Sequence, residues 1–347
     1  MRALVTGGGG FLGSWIVRQL LARGDRVRIL ARGEYPAIAA LGVECTRGDI
    51  ESKEVVLAAT EGVDAVFHVA GRPGIWGPRA DYYGTNLTGT ENVLAACRTR
   101  RILRLVYTGT PSAVFGTEAI DGGDETLPYP ARHLCHYPAS KAEAERRVLA
   151  AHDPGRLHTV SLRPHLIWGP GDRFLIPKLI DAARTGRVRR VGDGKNLVSV
   201  TYVENAASAH LAAMDALEDP ASPAGGKAYF VADRDPVELW SFIDRVLAGV
   251  GAPAIEGHIS YQSAYRVGAV LELLHRLLRR DDEPRMTRFL AAQLGKAHWF
   301  KIDRAMQDLR WHPEVSTEAG LDRLFGSLRA ASAPAGEVAS TRPSDGA

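Results

Sequence analysis

Cysteine is scarce in this sequence. Cys45, Cys97 and Cys135 are odd in number and far apart, and no set of Cys, His and carboxylate residues has metal-ligand spacing. That pattern argues against a metal centre and for a reduced, intracellular setting, taken here as cytoplasmic. Long apolar runs are also missing. No stretch of 18 apolar residues exists, so no membrane span is expected. The first apolar residues are broken at once by glycines, so no secretory signal is expected either. No Lys/Arg tract is interleaved with aromatics; the 43 basic and 40 acidic residues are scattered and leave a net charge of only +3. Nucleic acid is therefore not an expected partner. What remains is an ordinary globular composition, 45% apolar and 24% charged. The chain is long enough for one large domain with a smaller appendage.

The first half alternates strand and helix. Residues 2–6 form a short apolar strand, glycines follow from Gly7, and residues 14–23 read as a helix stopped by Gly24. Leu12, Ile16 and Leu20 fall on one face of it. Strand, glycine turn and helix are the context a dinucleotide fingerprint requires. Gly7 permits the turn, Gly10 lets backbone approach a pyrophosphate, and Gly13 lets the helix pack closely. Phe11 and Leu12 complete the turn. Free N–H groups at the helix start favour the anion. Further strands are expected at 26–31, 43–46, 65–69, 105–108 and 160–162, with helices at 55–60 and 83–97. Such alternation predicts an α/β fold, a Rossmann-type doubly wound parallel sheet with ligands at the carboxyl ends of its strands. The dinucleotide-binding domain is placed at residues 1–170, with returns to it near 197–217. A mainly substrate-binding C-terminal cap is placed at 171–330, and a disordered Ala/Ser/Pro-rich tail at 331–347.

The strand ends carry the informative residues. After the second strand, where a carboxylate would hold the adenosine ribose, stands Ala31-Arg32-Gly33. A guanidinium there can fork onto a phosphate, which favours NADP(H) over NAD(H), the latter still possible. Farther on, His136-Tyr137-Pro138-Ala139-Ser140-Lys141 reads as a helix start, with Pro138 in the first turn. Tyr137 and Lys141 then lie one turn apart on one face, and the ammonium is expected to lower the phenol pKa.

These motifs resemble the extended short-chain dehydrogenases, and within them the 3β-hydroxysteroid dehydrogenase branch. The likeness covers about residues 1–330 and is greatest to 2-alkyl-3-oxoalkanoate reductases and sterol-4-carboxylate dehydrogenases. It rests on the Gly7, Gly10, Gly13 spacing, on Thr110-Pro111-Ser112, on residues 163–172, and on residues 226–232 with 236–240. The resemblance implies that Asp49 and Ile50 contact adenine, Ala70 and Gly71 underlie the cofactor, and Asn86 and Pro164 lie near the nicotinamide. It also implies that Thr110, with Ser112 the alternative, orients the substrate oxygen. Tyr137 would serve as acid/base, and Lys141 would hold the nicotinamide ribose. No partner for His165 is nameable from the sequence. The expected activity is NADP(H)-dependent interconversion of a ketone and a secondary alcohol on an apolar substrate. Two alternatives share the scaffold: a nucleotide-sugar epimerase or dehydratase with bound NAD, and a non-catalytic dinucleotide sensor. Homodimer formation is expected by analogy alone.

In the second half, Val267, Val270, Leu271, Leu274, Leu277 and Leu278 recur at helical spacing, with Leu273 widening the stripe. Three accounts fit: a helix packed on the core, an apolar lid over the substrate, or a helix resting on a membrane surface.

Overall fold

Near-continuous runs of buried apolar residues make a sheet covered on both faces. The computed structural model describes residues 1–186 and 188–332, so most of the tail expected at 331–347 lies outside the described residues. Seven strands form one parallel sheet: β1 (Arg2–Thr6), β2 (Arg26–Ala31), β3 (Glu44–Arg47), β4 (Ala65–His68), β5 (Arg104–Thr108), β6 (His158–Pro164) and β7 (Ala228–Val231). Their order is β7-β6-β5-β4-β1-β2-β3. The order reverses between β1 and β4, which creates the crevice where this architecture binds ligands.

Two helix layers cover the sheet. On one face α1 (Phe11–Ala22) packs with a helix from the second half of the chain, Val203–Ala216. On the other lie α2 (Lys53–Ala59), α3 (Gly89–Arg100) and α4 (His136–Ala150). The anticipated stripe of α1, Leu12, Ile16 and Leu20, is buried. This helix begins at Phe11, three residues before the expected start, because extended backbone at Gly10 already caps it. The expected helix at 83–97 is interrupted: a π-turn at Gly84–Thr88 precedes α3. Such bulges re-aim side chains, and this one turns Asn86 inward.

Past residue 170 the chain does not leave the sheet for good. Both Val203–Ala216 and strand β7 belong to the first layer system, with Tyr229 and Val231 of β7 in its core. Leu197–Val198 instead joins a second, four-stranded sheet with Val237–Glu238, His298–Phe300 and Ile120–Gly123. A separate core around Trp168, Tyr202, Trp240 and Phe242 holds the cap together. Two cap helices, α5 (Tyr261–Leu277) and α6 (Arg288–Gly295), pack on each other. Gly268 makes that possible, since a Cβ there would lie 2.6 Å from the Thr287 carbonyl carbon.

The stripe on α5 faces the opposite way from core packing. Ala264, Gly268 and Glu272 are buried. Val267, Val270, Leu273, Leu274, Leu277 and Leu278 are exposed. Among the described residues no helix is long and apolar enough to cross a membrane.

Candidate active site

The glycine turn between β1 and α1 is tight because backbone meets backbone. Gly7 adopts φ +69°, and a Cβ on it would sit 2.9 Å from the Ala70 backbone. A Cβ on Gly13 would sit 2.3 Å from the Gly7 carbonyl oxygen. Gly10 differs: its Cβ would meet only that carbonyl oxygen, at 3.1 Å, and otherwise open space. The start of α1 has no side-chain cap and no acidic residue in its first turn. Its N–H groups are thus presented to an anion, and the site fits a dinucleotide pyrophosphate. Phe11 lies near Gly171, and Trp15 donates to the Pro170 carbonyl at 3.3 Å, so residues 169–171 close over the turn.

From the turn a row of small residues leads across the switch point. Thr6 at the end of β1 bonds His68 at the end of β4, Oγ1 to Nδ1 2.8 Å, and accepts the Ala70 N–H at 3.1 Å. Beyond Ala70, Gly71 packs close to the Tyr/Lys helix: a Cβ there would lie 3.3 Å from Asn86 Oδ1 and 3.7 Å from Lys141 Nζ. The glycine turn and the Tyr/Lys helix therefore meet at the switch-point crevice through Ala70 and Gly71. At its adenosine end, Arg32 is exposed, and Arg47 at the end of β3 donates to the Arg32 carbonyl at 3.2 Å. Arg47, which sequence reasoning missed, adds a second guanidinium to that corner, where it pairs with the exposed Glu34 at 3.0 Å. Asp49 turns the chain after β3 by accepting the Glu51 N–H at 3.0 Å, while the Ile50 side chain is buried against Gly89. Asn86 lies beside Gly71 near the Lys141 ammonium, with its side chain held by protein groups. Its Oδ1 accepts the Arg72 N–H at 2.7 Å and its Nδ2 donates to Ser140 at 2.9 Å, so the buried side chain braces α4 rather than presenting polar atoms to a cofactor.

At the reacting centre, Tyr137, Lys141 and Glu145 stand at four-residue intervals along α4, on one face. Tyr137 is half-buried and Lys141 buried. The Lys141 ammonium donates to the Thr108 carbonyl at 2.6 Å and lies 4.2 Å from the Tyr107 ring centroid. Here the structure corrects an expectation. Burial raises the Tyr137 pKa, with the Thr110 side chain opposing it, so the phenol stands above its usual value and not below it. Burial also drives Lys141 itself down to about 7, with Glu145 pulling it back up. A desolvated lysine this close to neutrality is a weak counter-charge and a ready proton acceptor. The Thr110 side chain bears on the phenol. It caps the short turn Pro111–Ala113 by accepting the Ser112 N–H at 3.3 Å. Pro164 ends β6, paired with Val231 of β7.

Two buried pairs had no sequence signal. Arg163 on β6 holds Glu145 with contacts of 2.7 to 3.1 Å, and Ser161 and Tyr129 donate to the same carboxylate at 2.6 and 2.7 Å. His165 Nε2 lies 2.6 Å from His298 Nδ1, and His298 Nε2 donates to the Gln293 carbonyl at 2.7 Å. Both imidazoles are held below their usual pKa first by burial, so this neutral pair ties the cap sheet to the end of β6. Cys135 has its thiol pushed up to about 12 by burial, which makes it inert. Among the described residues no group of three His, Cys, Asp or Glu side chains is placed to hold a metal.

A glycine turn that fits a pyrophosphate, with a Tyr/Lys/Thr centre on the same sheet, is an arrangement that known families can be compared with. The 3-beta hydroxysteroid dehydrogenase/isomerase family matches residues 4–258. The chain belongs to that family. A 2-alkyl-3-oxoalkanoate reductase from Stenotrophomonas maltophilia is 48% identical over 332 residues, covering 95% of this chain and 100% of the relative. The mouse sterol-4-alpha-carboxylate 3-dehydrogenase, decarboxylating, is 34% identical, covering 94% and 91%. Among solved structures, the Thermus thermophilus UDP-glucose 4-epimerase complex with NAD matches with a TM-score of 0.72 and 25% identity, over 95% of this chain and 100% of that one. The protein is thus an oxidoreductase of the extended short-chain type, with the NAD(P)-dependent CH–OH chemistry of its family.

Proposed function

We propose that this member of the 3-beta hydroxysteroid dehydrogenase/isomerase family is an NADP(H)-dependent enzyme. It would interconvert a ketone and a secondary alcohol on an apolar substrate of the 2-alkyl-3-oxoalkanoate or 3β-hydroxysteroid type. The observation that carries the reading is the placement of the Tyr137/Lys141 helix, with Lys141 bonded to the Thr108 carbonyl at the end of β5 and close to Gly71, at the switch-point crevice that the glycine turn also borders. When bound, the nicotinamide supplies hydride exchange at the carbinol carbon. The chain supplies the proton and the position. In reduction the Tyr137 phenol gives its proton to the carbonyl oxygen, and Thr110 hydrogen-bonds the same oxygen so that charge developing on it is met by two hydroxyls. Lys141 would hold the nicotinamide ribose and, near neutrality, pass on the proton that Tyr137 regains.

Preference for NADP(H) is supported by Arg32, which stands after β2 where an adenosine-ribose carboxylate would otherwise repel a phosphate; Arg47 beside it is paired with the exposed Glu34 at 3.0 Å. The same absence weighs against the epimerase-type reading, which relies on tightly held NAD. The outward apolar stripe of α5, flanked by the exposed Arg266 and Arg279, supports contact with an anionic membrane surface from which a lipid substrate could be drawn. Steady-state reduction of a 2-alkyl-3-oxoalkanoate with NADPH and with NADH tests the core reading. Turnover favouring NADPH supports it; failure with long-chain 3-oxo acids and 3-hydroxysteroids alike would refute it.

A further inference from the structure

A cavity of about 500 Å³ opens beside the first turn of α4, between residues 75–79 and the ends of α5 and α6. Cys135, His136 and Ala139 line it, so the cavity borders the residues on either side of Tyr137 in that turn. Part of its wall is apolar, with Ile75, Leu134 and Phe289. Its rim is cationic, and the nearby carboxylates do not neutralise it. Arg79, Arg276, Arg279, Arg280 and Arg288 line it against the carboxylates of Glu272 and Asp281. Buried Glu272 is already forked by Arg288, at 2.9 and 2.7 Å, and Arg280 forks onto Asp282 at 2.8 and 2.6 Å.

Two rim arginines are left available. The Arg79 guanidinium lies 3.9 Å from the Tyr83 ring centroid and pairs with no carboxylate among the described residues. Arg276 lies 5.8 Å from the Trp76 ring centroid and reaches the occupied Glu272 only at 3.7 Å. A guanidinium over an aromatic ring keeps its edge donors free for a planar acceptor. The two come from different elements yet converge. Both line the cavity together with His136, which directly precedes Tyr137, and after burial both hold its imidazole below its usual pKa.

We infer that Arg79 and Arg276 form an anion site that takes the carboxylate of the substrate, holding an acid by its charged end while its 3-oxygen lies at Tyr137. The inference rests on the ketone/alcohol reading above and narrows it. The substrate is a 3-oxo or 3-hydroxy acid with an apolar body, and neutral ketones and esters are discriminated against.

Calorimetric titration of the full-length, NADPH-loaded enzyme with a saturated 2-alkylalkanoate and with its methyl ester tests this. The wild type is expected to bind the acid about ten- to a hundred-fold more tightly than the ester, the range for a hydrogen-bonded charge. Arg79→Gln and Arg276→Gln should each remove most of that difference, and Arg276→Lys should keep part of it. Ester affinity should be constant throughout, and unchanged NADPH affinity shows that the variants are folded. Equal binding of acid and ester to the wild type, no binding of the acid, or parallel loss of both ligands in the variants would overturn the site. Binding of the inert acid needs no turnover. An enzyme that discriminates in this way yet reduces no ketone therefore counts against the proposed reaction and not against the anion site.

Discussion

Glu145 stands one turn beyond Lys141 on α4 and is locked there by Arg163, whose nearest nitrogen is 2.7 Å from its carboxylate. Both side chains are buried. Burial alone would raise the Glu145 pKa, but Arg163, Ser161 and Tyr129 outweigh it and hold the carboxyl below its usual range. Removing one partner strands the other as an uncompensated buried charge. Glu145→Ala is therefore expected to cost about 3–5 kcal/mol in denaturant unfolding. A loss under about 1 kcal/mol would show that the pair is not what fixes α4 against β6. The sign with pH follows. The stabilisation is present above pH 4.5 and is lost as pH falls toward the lowered pKa of the folded state.

Lys141 has the opposite linkage. Burial drops it from an ordinary 10.5 to about 7, so between those values the unfolded chain holds a proton that the folded one lacks. Its burial weighs on stability most below pH 7, and the burden lifts as pH rises toward 10.5. Lys141→Met should accordingly be more stable than the wild type at pH 6, on the order of a few kcal/mol, and nearly equal at pH 10, while losing turnover. Thermal melts from pH 6 to 10 check this, and a less stable variant at pH 6 would contradict it.

The raised pKa of Tyr137 fixes the pH dependence of each direction. Reduction requires the protonated phenol, so kcat/KM for a ketone should stay level through neutral pH and fall only above the ordinary tyrosine value near 10. Alcohol oxidation should rise with pH over the same range. Reduction that fell below pH 8 would assign the proton to another group.

At the adenosine corner, Arg32→Ala and Arg47→Ala should each weaken NADPH binding about ten- to a hundred-fold and leave NADH binding unchanged. Fluorescence titrations with the two cofactors give the comparison. Equal losses for both would remove the phosphate role.

On α5, cosedimentation with vesicles containing anionic lipid is expected for the wild type. It should be reduced in Leu273→Glu/Leu277→Glu and absent with neutral vesicles. Binding that ignores those two residues would assign the exposed stripe to something else.

What the sequence made legible were the patterns that close locally. The Gly7, Gly10, Gly13 turn needs only its flanking strand and helix, and Tyr137 and Lys141 share a face by helical spacing alone. The contacts that set their charge were not legible. Glu145 meets Arg163 across 18 residues and His165 meets His298 across 133, joining elements whose pairing depends on the finished sheet. Nor could spacing tell that Lys141 would lie over Tyr107, with its ammonium drawn to the Thr108 carbonyl. Periodicity found the apolar stripe of α5 but not its direction. The small face carrying Ala264, Gly268 and Glu272 packs inward because Gly268 lets the Thr287 backbone approach.

The central claim is that Tyr137 exchanges the proton while hydride moves between the dinucleotide and the substrate carbon. Reduction of a 2-alkyl-3-oxoalkanoate with NADPH deuterated at C4, followed by mass spectrometry of the 3-hydroxy product, tests it most directly. The account predicts one deuterium at the carbinol carbon with the wild type, and no product with Tyr137→Phe despite unchanged NADPH binding. Deuterated product formed by Tyr137→Phe at the wild-type rate would contradict it.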